Sequence, residues 1–140
     1  MTDREIVERY GRTLETLAPD TIADLTAMCE RDVHFVDPFN EVRGREGMAH
    51  VFHDMFEKLD EVGFEVEEIV GGGRIYALRF TFTAAGKMIG RVSVPGMTYV
   101  RLSEKGLVEE HVDFWDGGVL YEHMPVLGRA VRAVKKRIAA

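Results

Sequence analysis

Residues 33–56 read VHFVDPFNEVRGREGMAHVFHDMF. The opening part alternates and is rich in β-branched and aromatic residues, which predicts a strand over Val33–Asp37. Pro38 cannot donate to a ladder, so the strand stops there or lies at a sheet edge. From residue 45 the period changes. Met48, Val51, Phe52, Met55, Phe56 and Leu59 recur at i, i+3, i+4, i+7, i+8 and i+11, which predicts a helix over 45–59. Asp37 is left at the strand's end, directly before a proline and between Phe35 and Phe39. Alternation places it on the face of Val33 and Phe35, opposite His34 and Val36. The face of Val33 and Phe35 is the candidate interior. Desolvation there would raise the carboxyl's hold on its proton, which suits a general base. An aspartate before proline also closes an Asx turn through its own backbone. Both readings stay open.

Upstream, Ile6, Tyr10, Leu14 and Leu17 fall at helical spacing, so residues 3–17 form an amphipathic helix. The segment APD ends it, with Asp20 the expected N-cap of a short second helix through Met28. Downstream, four strand-like runs are separated by turn signals: FEVEEIV, RIYALRFTFT, the pair MIGRVSV and MTYVRL, and LVEEHVDFW. Short glycine-bearing connections make these an antiparallel meander. Pro95-Gly96 inside the long third run suggests a bulge or sharp bend that curves the sheet. Leu120, Met124, Leu127, Val131, Val134 and Ile138 form a last helical stripe, interrupted near its start by Pro125. The order α-α-β-α-β-β-β-β-α predicts an α+β fold, a single domain over 1–140. Helices on the concave side of a bent sheet can leave a cone-shaped interior, and an unfilled cone is a pocket.

A chain of 140 residues, 46% of them apolar, suits one compact domain with a real core. Cys29 is its one cysteine, so no intrachain disulfide forms, which fits a reducing compartment. MTDREIVERY is charged from its third residue and does not read as a signal peptide. No apolar run approaches the roughly 20 residues that span a bilayer. The expectation is a soluble cytoplasmic protein. A net charge of −6 argues against nucleic acid as a partner. The charge is uneven: from Gly118 onward there are five basic residues and one acid, Glu122, whereas residues 1–117 carry 13 basic and 23 acidic groups. The basic last helix could touch an anionic surface such as membrane lipid. The favoured reading packs it over the mouth of the cone or across a dimer, its cations facing the acidic body.

The element order, with IVERY on the first helix and VHFVDPFNEVRGREGMAHVFHDMF after it, resembles the NTF2-like superfamily. That is the cone-shaped fold of ketosteroid isomerase, limonene epoxide hydrolase and the SnoaL-like polyketide cyclases. The resemblance implies a curved antiparallel sheet wrapped by three helices plus a C-terminal one, and a homodimer through the sheet's convex face. It implies that Tyr10, in IVERY, donates to a substrate oxygen, and that Asp37, in VDPFNEVRG, is the general base. The isomerase family's second oxyanion donor, an acid, falls at Thr98 here, which departs from the pattern. HVDFWD resembles the RDYFD segment of limonene epoxide hydrolase, where the catalytic acid corresponds to Asp113. That family's Arg-x-Asp pair is absent from ALRFTF, which supplies Arg79 alone.

His111 and Asp113 share one face of the last strand with Leu107, Glu109 and Trp115, and the opposite face carries Val108, Glu110, Val112 and Phe114. Neither face is clean, so alternation leaves the inward face open. If they face inward, His111 and Asp113 join Asp37 in an acid–base set. Phe35, Phe52, Met55, Phe56, Phe80, Thr98 and Trp115 are the expected pocket lining. His50 and His53, three apart on a helix, have no third ligand and read as surface residues, so no metal site is assigned. GGGR at 71–74 is a hairpin turn without the strand-to-helix context of a phosphate loop, and no cofactor motif appears. Two functions remain: a cofactor-independent acid–base enzyme acting on a small hydrophobic molecule, or a non-catalytic carrier or assembly module with the same pocket.

Overall fold

The computed structural model describes residues 1–140. α1 spans Asp3–Glu15, and Thr2 caps it by accepting the Glu5 amide at 3.1 Å. A short 3-10 turn, Pro19–Thr21, leads into α2, Ile22–Ala27. Asp20 lies inside that turn rather than capping α2; Thr21 Oγ1 ties the turn by accepting the Ala18 amide at 2.9 Å. β1 is Cys29–Val36, β2 Glu41–Arg43 and α3 Arg45–Lys58. β3, Glu61–Gly72, β4, Ile75–Gly86, β5, Gly90–Leu102, and β6, Val108–Trp115, form the meander. α4, Gly118–Glu122, and α5, Leu127–Ile138, flank the break at Pro125.

The six strands form one curved, open sheet in the order β2-β1-β6-β5-β4-β3. The expectation of a wholly antiparallel sheet needs one correction: β1 and β6 pair in parallel, with Phe35 opposite His111. Alternation reports which face a side chain takes, not which way a neighbour runs. β2 was not expected. It forms because the chain reverses at Asp37–Asn40 and pairs Phe35 with Val42. Gly44 then turns the chain into α3 with φ +90°, which a side chain would resist. No helix is long and apolar enough to cross a membrane.

The bend expected at Pro95-Gly96 is not a bulge. Pairing with β4 runs through it without a shift, Thr81 opposite Pro95 and Phe80 opposite Gly96. β6 ends opposite Gly96, so Pro95 lies beyond the last pairing on that side. Gly96 is required for space: a Cβ there would stand 2.5 Å from the Phe80 ring. Register shifts lie elsewhere, in the β3–β4, β1–β6 and β5–β6 pairings, and the last of them shapes the site. Leu102 faces Val108 and Arg101 faces Glu110, so Glu109 is an extra residue in β6. That insertion puts Glu109 and Glu110 together in the outer groove beside His34 and Arg101. It also turns both Val108 and His111 into the core.

α1, α2 and α3 cover the inner face. Val7, Tyr10 and Leu14 of α1, Leu25 of α2 and Phe52 of α3 meet Val33, Phe35 and Leu78 of the sheet. Burying a side chain such as Phe35 stabilises the fold by about 1.5–3 kcal/mol. Phe80, Phe82, Val92 and Val94 form a second cluster toward Trp115 and Leu120.

Within the single chain α5 packs on α4 rather than over the open end of the sheet, and one of its cations, Lys135, faces acidic residues. Gly128 is the one buried residue of α5. Lys135 pairs with Glu122 at 2.9 Å and Asp116 at 3.5 Å. Leu127, Val134 and Ile138 remain exposed.

Candidate functional site

The chain's turn at residues 37–40 places Asp37 at one end of the open sheet. Its Oδ1 accepts the amides of Phe39 at 2.8 Å and Asn40 at 2.7 Å, and the Asn40 side chain reaches both carboxylate oxygens. This is an Asx turn. The same carboxylate also lines a pocket, so the two readings of Asp37 describe one geometry. Desolvation pushes its pKa up, and the Asp113 charge adds to that; the amide bonds pull it down but lose.

The pocket is about 310 Å³, and 11 of its 16 lining residues are hydrophobic, so its walls suit the hydrocarbon part of a small molecule. Phe35, Phe52, Met55, Phe80 and Trp115 line it, with Asp37 and Asp113 among them. Phe56 does not. Val51, Met55 and Leu59 mark the arc of α3 that faces the pocket, and Phe56 lies past its edge, packed on the main core. Phe39, Phe64 and Phe82 also line it and were not singled out from the sequence. The alternation of Phe80 and Phe82 along β4 was the available signal for Phe82; Phe39 is swung in by the Asx turn, which no periodicity records.

At the inner end a recess of about 10 Å³ lies between Phe52, Phe80, Thr98, His111 and Asp113. That is room for about one water. Thr98 belongs to this recess and not to the main pocket. Asp113 lines both.

Behind the recess runs a buried chain of hydrogen bonds. Tyr10 and His111 are both almost wholly buried. The Tyr10 hydroxyl meets His111 Nδ1 at 2.7 Å, His111 Nε2 meets Asp113 Oδ1 at 2.9 Å, and Thr98 Oγ1 donates to the same Oδ1 at 2.6 Å. Burial, and then the Cys29 thiol beside it, push the Tyr10 phenol well above its ordinary pKa. The phenol therefore keeps its proton, and it donates to Nδ1 when the ring is neutral with its hydrogen on Nε2. The hydrogen on Nε2 is assigned from its partner, the Asp113 carboxylate, which can only accept. Cys29 is equally inert: burial pushes its thiol up to about 12.

Tyr10, His111, Asp113 and Thr98 are thus brought together, and Asp37 faces Asp113 across the pocket. The donor geometry implied for Tyr10 is not met. Its hydroxyl stands behind His111, outside the pocket lining, because α1 packs flat on the sheet. The inward face of β6, left open by alternation, is the one carrying His111, Asp113 and Trp115.

The family model for the SnoaL-like domain matches residues 8–111. The chain belongs to the SnoaL-like family. Its solved neighbours carry the same NTF2-like fold. An NTF2-like protein of unknown function from Burkholderia pseudomallei K96243 is 12% identical, with TM-score 0.75, covering 90% of this chain and 100% of its own. A protein with a ketosteroid isomerase-like fold from Catenulispora acidiphila DSM 44928, in complex with trimethylamine, is 15% identical, with TM-score 0.73 and coverages of 86% and 92%. An epoxide hydrolase/cyclase-like enzyme of pyran ring formation in the polyether salinomycin is 19% identical, with TM-score 0.68 and coverages of 82% and 91%. At these identities the likeness is one of fold. No curated protein matches the sequence. The matched segment of this SnoaL-like chain stops at His111, so Asp113 and Trp115 lie just past it.

Two outcomes follow from the site's geometry. Tyr10→Phe leaves His111 Nδ1 buried without a partner, and is expected to lower stability by about 1–3 kcal/mol in urea unfolding. An unchanged midpoint would show that the bond does not hold α1 to the sheet. Asp37 binds its proton more tightly folded than unfolded, so its ionised form weighs against folding. That penalty is absent below the ordinary aspartate range and grows as pH rises through the folded pKa. The thermal midpoint of Asp37→Asn minus that of the native chain should therefore fall as pH is lowered from 7 to 4; a difference that rises over that range would reverse the sign.

Proposed function

We propose that the pocket takes a small hydrophobic molecule and that Asp37 exchanges a proton with it. The observation that carries this is the opening of two carboxylates, Asp37 and Asp113, onto one pocket walled by apolar side chains. A base in such a site holds its proton more strongly than in water, which suits proton transfer near neutral pH. Asp113 is oriented by His111 and Thr98, both on Oδ1, so Oδ2 has no protein partner and is free to meet a ligand or a water in the recess. His111 and Tyr10 are positioning residues. The reaction class is proton transfer run by the side chains themselves: isomerisation, cyclisation or addition of water. The epoxide hydrolase/cyclase-like neighbour supports that class at the level of fold. The competing reading is a carrier. Its support is the Asx turn, which already employs both oxygens of Asp37 in a structural role.

Trp115, the one tryptophan, lines the pocket and reports its occupancy. 4-Nitrotoluene, a neutral apolar quencher, should lower its emission saturably. Cyclohex-3-enone and styrene oxide then test turnover. The enzyme reading expects Asp37→Asn to cut kcat/KM by about 10²-fold or more. Quenching without turnover of either compound would favour the carrier.

The outer sheet face supports a homodimer. Met97 and Phe114 stand opposite each other there, 41% and 63% exposed, beside the Tyr99–Val112 pair. The single buried cysteine supports a reducing, cytoplasmic setting. Phe114→Glu should convert a dimer to a monomer in sedimentation velocity; a native chain that sediments as a monomer at micromolar concentration refutes the assembly.

A further inference from the structure

The electrical balance of the pocket bears on which molecule it accepts. Four charged residues line it: Asp37, Asp54, Lys58 and Asp113. Lys58 Nζ is 2.7 Å from Asp54 Oδ2, one turn away on α3, and that pair cancels itself. The other two carboxylates have no Lys or Arg partner. Asp37 accepts only the amides of Phe39 and Asn40 and the Asn40 side chain. Asp113 accepts only Thr98 Oγ1 and His111 Nε2, and His111 owes its second nitrogen to the Tyr10 hydroxyl. The pocket therefore sets two carboxylates without a Lys or Arg partner among apolar walls, and their ionised forms repel each other.

The walls are rich in aromatic rings that pack on one another. Trp115 meets Phe39 edge-on at 5.5 Å between centroids and lies 6.1 Å from Phe82, which stands 5.0 Å from Phe64. The faces of such rings present negative quadrupole density, which attracts cations. No hydroxyl, Lys or Arg is left to receive an anion at the pocket's acidic end: Tyr10 is screened by His111, and Thr98 already donates to Asp113.

We propose that the pocket's ligand is an apolar amine in its cationic form, protonated or quaternary, with the charged nitrogen between Asp37 and Asp113 and its hydrocarbon part against the aromatic rings. The proposal rests on the occupancy of the pocket argued above and adds the sign of the occupant's charge. One ammonium relieves the repulsion between the two carboxylates and gains the ring faces at once. An apolar carboxylate or phosphate of the same size would add a third negative charge beside Asp37 and Asp113, where the one lining cation, Lys58, is already paired with Asp54.

Three compounds of one shape test it: benzyltrimethylammonium, its neutral carbon isostere neopentylbenzene, and the anion phenylacetate. Each is titrated against the native protein carrying 4-nitrotoluene, and displacement is read as recovery of Trp115 emission. The ammonium is expected to bind about tenfold tighter than the neutral isostere, and phenylacetate more weakly than either. Asp113→Asn and Asp37→Asn should each erase most of the ammonium's advantage while 4-nitrotoluene still quenches, which certifies that the pocket of the variant is intact. If a variant does not fold, salt gives the same answer on the native chain: raising ionic strength should weaken the ammonium and leave the neutral isostere unmoved. Equal binding of ammonium and neopentylbenzene, or preference for phenylacetate, overturns the charge assignment and leaves the pocket reading standing. Failure of 4-nitrotoluene and all three compounds to bind overturns both.

Discussion

The Tyr10 hydroxyl meets His111 Nδ1 at 2.7 Å, and that bond joins α1 to β6, the strand beside which β1 enters the sheet. The ring it holds also meets Asp113, and Asp113 receives Thr98 of β5. One buried imidazole therefore ties a helix and two strands, and it aims a carboxylate at the pocket. Its two nitrogens each need a partner, because a buried polar atom left alone costs about as much as the hydrogen bond is worth. The fold's stability and the site's geometry thus share the same atoms.

His111 can occupy that place only because β6 carries an extra residue. Without the bulge at Glu109, Val108 and His111 would take opposite faces, since they are three apart. With it, both point inward and the two glutamates between them stay outside. The outer position suits them, because a carboxylate in the core would need a partner there. The bulge is the device that lets one strand offer a packed valine, a buried histidine and a pocket aspartate in succession.

The pocket itself is what the core leaves unfilled. Side chains from α1, α2 and α3 close the inner part of the sheet down to a recess with room for about one water. Beyond it the aromatic walls separate, and Asp37 is held at that edge by its own turn. The turn and the pocket role of Asp37 are compatible because an Asx turn fixes where the carboxylate stands without giving it a counter-ion. A structural motif holds a chemically exposed group, with its basicity raised by the surroundings.

The segment over residues 33–56 shows how far local order carries. Alternation and the 3.6-residue period depend on neighbours a few positions away, so the sequence by itself determined the strand, α3, the inward face of Phe35 and the side on which Asp37 lies. It also determined the order of the elements apart from β2 and the break between α4 and α5, and the resemblance to the NTF2-like superfamily rested on that order together with the segments at 6–10 and 33–56. The parallel pairing of β1 with β6, the position of the bulge, the screening of Tyr10 and the swing of Phe39 into the pocket were decided by tertiary structure alone. Each depends on residues brought together from distant parts of the chain, such as Tyr10 and His111, and no periodicity within one element encodes such a meeting. Phe56 marks the boundary: its period is right for the apolar face of α3, but whether that face meets core or pocket is settled by what packs against it.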